Sequence, residues 1–347
     1  MTAPPFITRW DLDKTYLRTE FDTLGDLVRT ALERPDQKRA VPGAAALLRA
    51  LGETGARVHI LSGSPRQLGA KLEEKLRIDR VRWDELTLKP NLSNILRLRL
   101  KALRDQLGYK LPVLLGCRVR DQDLAEEGPP LREVLVGDDA EADAFVYSLY
   151  ADIAAGEVSR QELERILRVG DVYADQRRIC LDAVERLRLG ETVERILIHL
   201  DRQSPPSTFH AYGPRVVPFY NYLQAAFVLA EDRRLSGEAV LEVATMFATR
   251  HRFDAEALGR SYKDLVRRGH AQGTILLLLE DALPKLAAGG ARDTLVEMVA
   301  LIRGYLVEPA PGNGIPPAAP DYAALADRHR HGKNRKQFRN VTGGSAH

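Results

Sequence analysis

Short apolar runs that end in small or acidic residues recur along the chain and determine its predicted architecture. Such runs, bounded by turn residues, are typical of buried strands in a parallel sheet. They begin at Phe6, Arg57, Glu133 and Arg195. Segments with apolar residues at helical spacing separate them. We therefore expect an α/β fold with a mostly parallel sheet between two helical layers.

Helical patterns also define the predicted domain organisation. Residues 159–188 carry apolar side chains at helical spacing between two predicted strands, and residues 236–307 are typical of a helical bundle. The predicted divisions are a core over residues 1–232 with a helical insertion at about 151–192, a helical domain over 233–308, and a Pro/Gly-rich linker with a disordered basic tail over 309–347.

The first candidate chemistry is the pair Asp11 and Asp13 at the end of the first predicted strand. Side chains two residues apart share one face of a strand, so the two carboxylates would emerge together. A bound Mg²⁺ would relieve their repulsion, because hard cations prefer oxygen ligands. Such a pair can serve phosphoryl transfer, with one carboxylate attacking phosphorus and the other moving a proton. The alternative is a solvated Asp-rich turn.

Two later segments offer groups that suit a phosphate. Ser62 and Gly63 follow the second predicted strand, where a hydroxyl and backbone N–H groups can meet one anion, although Ser62 could instead cap the next helix. Lys110 precedes an apolar stretch that we predict to be helical, and the alternative is an ordinary surface lysine. Lys89 is a second candidate for the same role. Residues 118–130 are predicted to form a surface loop.

The fourth segment places acidic residues after the third predicted strand. Gly137 permits a tight turn there, and Asp138, Asp139 and Asp143 follow it. These carboxylates could complete a metal site. They could also belong to a helix N-terminus, whose dipole favours negative charge.

The order strand-DxDxT, strand-SGS, Lys, strand-GDDxxxD resembles the haloacid dehalogenase superfamily of phosphatases over about the first 150 residues. The segments 61–68 and 136–139, together with Asp143, are more closely similar to the actin-patch-type phosphatidate phosphatase catalytic domain family. The resemblance implies a Rossmann-like core whose active site lies beyond the carboxyl ends of the strands.

The resemblance also implies roles for the candidate residues. Asp11 would be the nucleophile that forms an aspartyl-phosphate, and Asp13 would be the general acid and base. Lys110 would neutralise charge. The implied phosphate-binding residues are Ser62, Gly63 and Thr15, and the implied Mg²⁺ ligands are Asp11, Asp13, Asp138, Asp139 and Asp143.

These roles predict a Mg²⁺-dependent phosphatase that hydrolyses a phosphomonoester. Phosphatidate or a related lipid phosphate, met at a membrane surface, is one substrate class. The alternatives are a soluble phosphoester, such as a nucleotide, sugar phosphate or phosphoprotein, and a non-catalytic module that binds a metal or a partner.

Composition fits a soluble cytoplasmic enzyme with contact at a membrane surface as a further option. No apolar run is long enough to span a bilayer, and no secretory signal is visible. The chain has two cysteines, Cys117 and Cys180, in no metal-like spacing, which excludes a disulfide framework. His199 is expected to be a half-buried structural residue.

Charge is concentrated at the C-terminal end. The formal net charge is +3, and residues 326–347 carry +5 of it, so the remaining residues carry −2. This basic segment could contact anionic lipid or nucleic acid, or it could be a solubilising tail.

Overall fold

The computed structural model of the protein describes residues 6–18, 34, 36–89, 103–125, 131–306 and 319–329. Six parallel strands form one sheet in the order β3-β2-β1-β4-β5-β6. The strands are β1 Phe6–Asp11, β2 Arg57–Pro65, β3 Glu85–Lys89, β4 Arg132–Asp138, β5 Val193–His199 and β6 Val216–Phe219. The predicted α/β class and parallel sheet are confirmed.

Helices cover both faces of the sheet. They are α1 Ala44–Glu53, α2 Gly69–Ile78, α3 Leu103–Asp121, α4 Asp143–Ala155, α5 Arg160–Val169, α6 Ala174–Val184, α7 Tyr222–Glu231, α8 Gly237–His251, α9 Ala255–Arg267, α10 Ile275–Ala282 and α11 Gly290–Tyr305. The helical character predicted for residues 159–188 and 236–307 is therefore confirmed as far as residue 306, where the described part of this region ends. The division into separate domains stays a prediction.

Strand alternation creates two apolar cores, one on each face. Trp10 and Val136 belong to the core that includes α1, α2 and α7 to α11. Leu61 and Leu135 belong to the core that includes α3 to α6. The two faces of each central strand are thus buried under different helices, which holds the carboxyl ends of the strands in fixed positions.

Three sequence-based predictions are wrong in detail. Lys110 does not begin a helix but lies in the middle of α3, because helical residues continue seven positions before it. The predicted surface loop at residues 118–130 begins as the last turn of α3, where Arg118 and Asp121 are buried by ion pairs. Residues 322–329 of the predicted disordered tail are helical, since Tyr322 and other apolar side chains pack into the second core.

The two outer strands, β3 and β6, were not predicted. Strand β3 is half-buried and polar in part, with the sequence Glu-Leu-Thr-Leu-Lys. Strand β6 has four residues and contains Pro218, which is tolerated at a sheet edge because an edge strand leaves one side unpaired. Short edge strands therefore lack the continuous apolar run that identifies central strands.

A buried charged network lies on the face of β1 that also carries Asp11. The Arg9 guanidinium, fully buried, donates to Glu133 at 2.6 Å, to Asp121 at 2.8 Å and to His59 Nδ1 at 2.9 Å. Glu133 also accepts from Arg118 at 2.6 Å. Because Arg9 and Glu133 lie on neighbouring strands, these contacts join β1, β4 and α3 beneath the candidate site.

Candidate active site

The loop after β1 turns back on itself and presents its polar side chains at the carboxyl end of the sheet. The carbonyl of Leu12 accepts hydrogen bonds from Tyr16 N at 2.9 Å and Leu17 N at 2.8 Å. Lys14 has a left-handed backbone with φ of 62°, which is uncommon for a residue other than glycine. This closed turn places Asp13 and Thr15 beside Asp11 instead of extending the strand.

Lys110 reaches the site from α3 and contacts three carboxylates. Its Nζ lies 2.9 Å from Asp11 Oδ1 and 2.9 Å from Glu141 Oε2, and it donates a short hydrogen bond to Asp143. Burial alone would lower the pKa of Lys110, but the surrounding carboxylates raise it well above its ordinary value. Lys110 is therefore a fixed positive charge against Asp11.

The loop after β4 is organised by hydrogen bonds to its own backbone. Asp138 Oδ1 accepts from the N–H groups of Ala140 at 2.6 Å and Glu141 at 3.1 Å. Asp143 Oδ2 accepts from Asp138 N at 3.1 Å. These bonds hold both carboxylates in place at the start of α4.

Gly137 is needed for close packing rather than for an unusual turn. A Cβ at this position would lie 2.7 Å from the Cβ of Asp143, which is closer than side-chain carbons approach. The φ of Gly137 is not positive, and residues 139–142 form the turn that follows β4. The glycine therefore allows Asp143 to lie against the end of β4.

Asp11, Asp138 and Asp143 form a buried acidic group. One carboxylate oxygen from each lies within 4.8 Å of the others, which is a spacing that a single cation could bridge. Burial raises the pKa of Asp11 and Asp138 well above the ordinary range, and Lys110 opposes that rise only in part. Burial also raises the pKa of Asp143. Three carboxyl groups and Glu141 face one lysine, so ionisation of all of them would leave negative charge that Lys110 alone does not balance.

Asp13 occupies a separate position next to the end of β2. Its Oδ2 accepts from Ser62 Oγ at 3.0 Å and from Ser64 Oγ at 3.4 Å, and Ser62 Oγ in turn accepts from Ser64 N at 3.0 Å. Burial raises the pKa of Asp13, and the hydrogen bond from Ser62 counteracts part of that rise. A carboxyl group of this kind can hold a proton closer to neutral pH than an exposed aspartate does.

The other predicted site residues fall into two groups. The buried hydroxyl of Thr15 lies 3.5 Å from Asp11 Oδ2 and 3.4 Å from Asp138 Oδ2, so it contacts the acidic group. Gly63 follows Ser62, and a Cβ added at Gly63 would have open space around it, with no contact within 4 Å. Asp139 is not brought to the group. Its carboxylate accepts from the N–H groups of Arg202 and Ser204 and so holds the loop after β5.

Lys89, the alternative to Lys110, is also buried near the site. It ends β3, and its Nζ lies 4.7 Å from the centre of the Tyr109 ring. Burial lowers the pKa of Lys89. Lys110 contacts Asp11 directly and Lys89 has no described ion pair with it, which favours Lys110 as the lysine that acts on the nucleophile.

Sequence reasoning missed several residues that complete the site. Glu141 forms an ion pair with Lys110. It lies in the same acidic segment as Asp138 but was not predicted to be a site residue. The Tyr109 hydroxyl donates to the carbonyl of Ser62 at 2.6 Å. The Tyr222 hydroxyl donates to the carbonyl of Thr15 at 2.5 Å. Backbone contacts of this kind have no sequence signature.

His199 is buried, as a structural residue would be, and it has a specific contact. Its Nδ1 lies 3.2 Å from the carbonyl of Lys14, and its ring stacks on Tyr222 at 5.5 Å. Burial lowers the pKa of His199, so the ring is neutral and Nδ1 can carry the proton donated to that carbonyl. The residue thus supports the backbone of the β1 loop.

Comparisons with protein-family models and with curated proteins found no match to the chain.

Within the part of the chain that the structure describes, no helix combines the length and apolar character needed to cross a membrane. The basic residues beyond 329, whose partners were predicted to be lipid or nucleic acid, lie outside the described residues.

Proposed function

We propose that the protein is a Mg²⁺-dependent phosphatase of the haloacid dehalogenase type, acting through an aspartyl-phosphate on Asp11. One observation carries the proposal. The buried carboxylates of Asp11, Asp138 and Asp143 converge on each other, and Lys110 contacts the first and the last of them. These residues come from three separate segments of the chain. The order of the same motifs in the sequence supports the same reaction.

The donor set fits a hard divalent cation. All three residues offer carboxylate oxygens, which Mg²⁺ prefers, and the group has more negative charge than Lys110 balances. Asp11 and Asp138 are the ligands that we assign, with Asp143 placed to hold Lys110 and the backbone of Asp138. When bound, Mg²⁺ would supply positive charge to the oxygens of the phosphoryl group.

Asp11 and Asp13 would carry out the two chemical steps of the reaction. A carboxylate oxygen of Asp11 attacks phosphorus, and the bond between phosphorus and the ester oxygen breaks. Asp13 gives its proton to that leaving oxygen. In the second step Asp13 takes a proton from water, whose oxygen attacks the aspartyl-phosphate, and inorganic phosphate leaves as Asp11 is regenerated. The raised pKa of Asp13 suits the first of these proton transfers.

Charge and hydrogen bonding support the same assignment. Lys110 lies against Asp11, so it can neutralise the negative charge that a phosphoryl group brings to the nucleophile. The Ser62 hydroxyl donates to Asp13 and holds that carboxylate in place. Phosphatidate is the substrate indicated by the closer resemblance, and soluble phosphoesters are the other class.

The test measures phosphate release from p-nitrophenyl phosphate and from phosphatidate vesicles, with Mg²⁺ and with a chelator. We expect Mg²⁺-dependent release, its loss in Asp11→Asn, and acid-stable labelling of the wild-type protein by a ³²P-phosphoester. Asp182→Asn removes an exposed carboxylate of α6 and is the matched control. Each variant is first checked for native unfolding behaviour. Full activity in a folded Asp11→Asn variant, or no release from any phosphoester, would contradict the proposal.

A further inference from the structure

A cavity of about 600 Å³ lies at the carboxyl end of the sheet, beside the acidic group. The segments after β1, β5 and β6 form one side of it, and α8 with the residues after it forms the other. Ligands of open α/β sheets bind at this end of the strands. None of the carboxylates of the acidic group lines the cavity.

Lys14 connects the cavity to the proposed reaction centre. It lines the cavity, and its neighbours in the chain are Asp13 and Thr15. Consecutive Cα atoms are about 3.8 Å apart, so the cavity begins one residue from the proposed general acid. His199 also lines it and pairs in register with Asp138 across β4 and β5. The cavity therefore adjoins the loop that carries Asp13 and the end of the strand that pairs with Asp138.

The lining of the cavity is positively charged. Lys14, Arg18 and Arg202 contribute cations, and Asp201 contributes one carboxylate. Within the described residues no carboxylate forms an ion pair with Lys14 or Arg18, and the side chain of Arg18 is exposed. Lys14 and Arg18, which have no carboxylate partner among the described residues, are available to a ligand with negative charge.

Aromatic rings form another part of the lining. Phe247 and Phe253 pack together with their ring centres 5.1 Å apart, and both line the cavity. Tyr220 lines it as well and is 47% exposed. Tyr220 is the most exposed of these rings, since Phe247 is 2% exposed, and an exposed aromatic ring next to cations can bind a flat ring by stacking while the cations bind an anion.

We propose that this cavity binds the leaving group of the substrate, and that the leaving group carries a flat ring and a second anionic group. The proposal rests on the proposed phosphatase function and favours its soluble phosphoesters over phosphatidate, whose diacylglycerol leaving group has no flat ring and no second anion. The phosphoryl group at Asp11 would be cleaved, and the second anion would stay intact on Lys14 and Arg18. Arg18 is thus a residue that determines specificity and takes no part in the chemical step.

The experiment compares adenosine 3′,5′-bisphosphate, adenosine 5′-monophosphate and p-nitrophenyl phosphate as substrates of the wild type, Arg18→Gln and Arg82→Gln. Arg82 is an exposed arginine before β3, at the opposite end of the sheet, and gives the matched loss of charge. We expect Arg18→Gln to raise KM for the bisphosphate about tenfold, which corresponds to one charge-assisted contact, with kcat nearly unchanged. KM for p-nitrophenyl phosphate, which has no second anion, should not change in Arg82→Gln and should rise less than KM for the bisphosphate in Arg18→Gln.

Calorimetric titration with adenosine 3′,5′-bisphosphate separates this proposal from the reaction chemistry. Binding that weakens about tenfold in Arg18→Gln and not in Arg82→Gln supports the cavity assignment even if no phosphoester is hydrolysed, a result that would contradict only the proposed function. Equal binding of the bisphosphate by the wild type and Arg18→Gln would overturn the cavity assignment. A wild type that hydrolyses p-nitrophenyl phosphate and does not bind the bisphosphate would overturn it as well.

Discussion

Lys110 Nζ lies 2.9 Å from Asp11 Oδ1, and neither side chain is more than 2% exposed. Removing one partner of a buried ion pair leaves an uncompensated charge, whose cost exceeds the loss of the attraction itself. The contact therefore links the stability of the site to its proposed chemistry, because Lys110 also binds Asp143 and Glu141.

Lys110→Met is expected to lower phosphatase activity about 100-fold or more, since the positive charge against the nucleophile is lost. It should also destabilise the fold by about 3 kcal/mol in urea unfolding. Lys89→Met is the matched control, because Lys89 lies over the Tyr109 ring and not against Asp11. A larger loss of activity in Lys89→Met than in Lys110→Met would assign the catalytic lysine to Lys89.

Gly137→Ala should disturb the acidic group through sterics alone. The new Cβ would lie 2.7 Å from the Cβ of Asp143, so that side chain must move, at a cost of about 1–3 kcal/mol in the free energy of unfolding. The apparent affinity for Mg²⁺, measured from the activity as Mg²⁺ is varied, should fall as well. Gly63→Ala tests the opposite case, because nothing lies within 4 Å of that position. Equal effects of the two changes would contradict the packing argument.

Ser62→Ala should change the pH profile of the reaction. The hydrogen bond from Ser62 lowers the pKa of Asp13, while burial raises it, so loss of the hydroxyl leaves a higher pKa. Asp13 must hold a proton to act as the acid, and a higher pKa retains that proton to higher pH. The alkaline limb of kcat against pH should therefore move upward. Ser64→Ala, whose contact with Asp13 is 3.4 Å, should move it less. A downward shift in Ser62→Ala would be inconsistent with the assigned role.

Glu133→Gln should destabilise the protein at neutral pH by about 3–5 kcal/mol, because it removes the buried carboxylate that pairs with Arg118 and leaves Arg9 with the carboxylate of Asp121 alone among the described residues. Burial alone would raise the pKa of Glu133, but Arg9 and Arg118 bring it below the ordinary value. A depressed pKa contributes stability above the unfolded pKa, near 4.3, and that contribution is lost as the pH falls through the folded pKa. The difference between wild type and variant should therefore shrink in acid.

Denaturant unfolding at pH 7 and in acid, with both proteins under identical conditions, measures this difference. Glu164→Gln is the control, because Glu164 is an exposed partner of Arg168 on α5 and such pairs contribute little. A difference between wild type and Glu133→Gln that grew on acidification would show that the charge of Glu133 does not stabilise the network.

The sequence predicted the parts of the fold that depend on continuous patterns. The central strands β1, β2, β4 and β5 carry apolar runs, and the motifs after β1 and β4 contain Asp11, Asp138 and Asp143, whose carboxylates lie close together. Strand β3 was missed because its residues are half-buried and mixed in character, and β6 because it is short and contains Pro218. The strands with a continuous apolar run were predicted, and the strands without such a run were missed.

Site contacts that depend on three-dimensional packing could not be predicted. Asp139 is adjacent to Asp138 and has the same side chain, yet its carboxylate accepts hydrogen bonds from the backbone after β5. Arginine is usually exposed, but Arg9 is buried in β1. It can be buried because Glu133 of β4 and Asp121 of α3 form ion pairs with it. The sequence gives the type of each side chain, and only the packing of distant segments gives its partners.

The register of the central strands determines when the acidic group can form. Trp10 pairs with Val136 across β1 and β4, so Asp11 and Asp138, which are more than a hundred residues apart in the chain, meet only when these two strands pair. Pairings between such distant segments form slowly, since closing a long loop costs entropy before any contact is gained. During synthesis the chain therefore carries Asp11 for most of its first 138 residues without the partner that would complete the site.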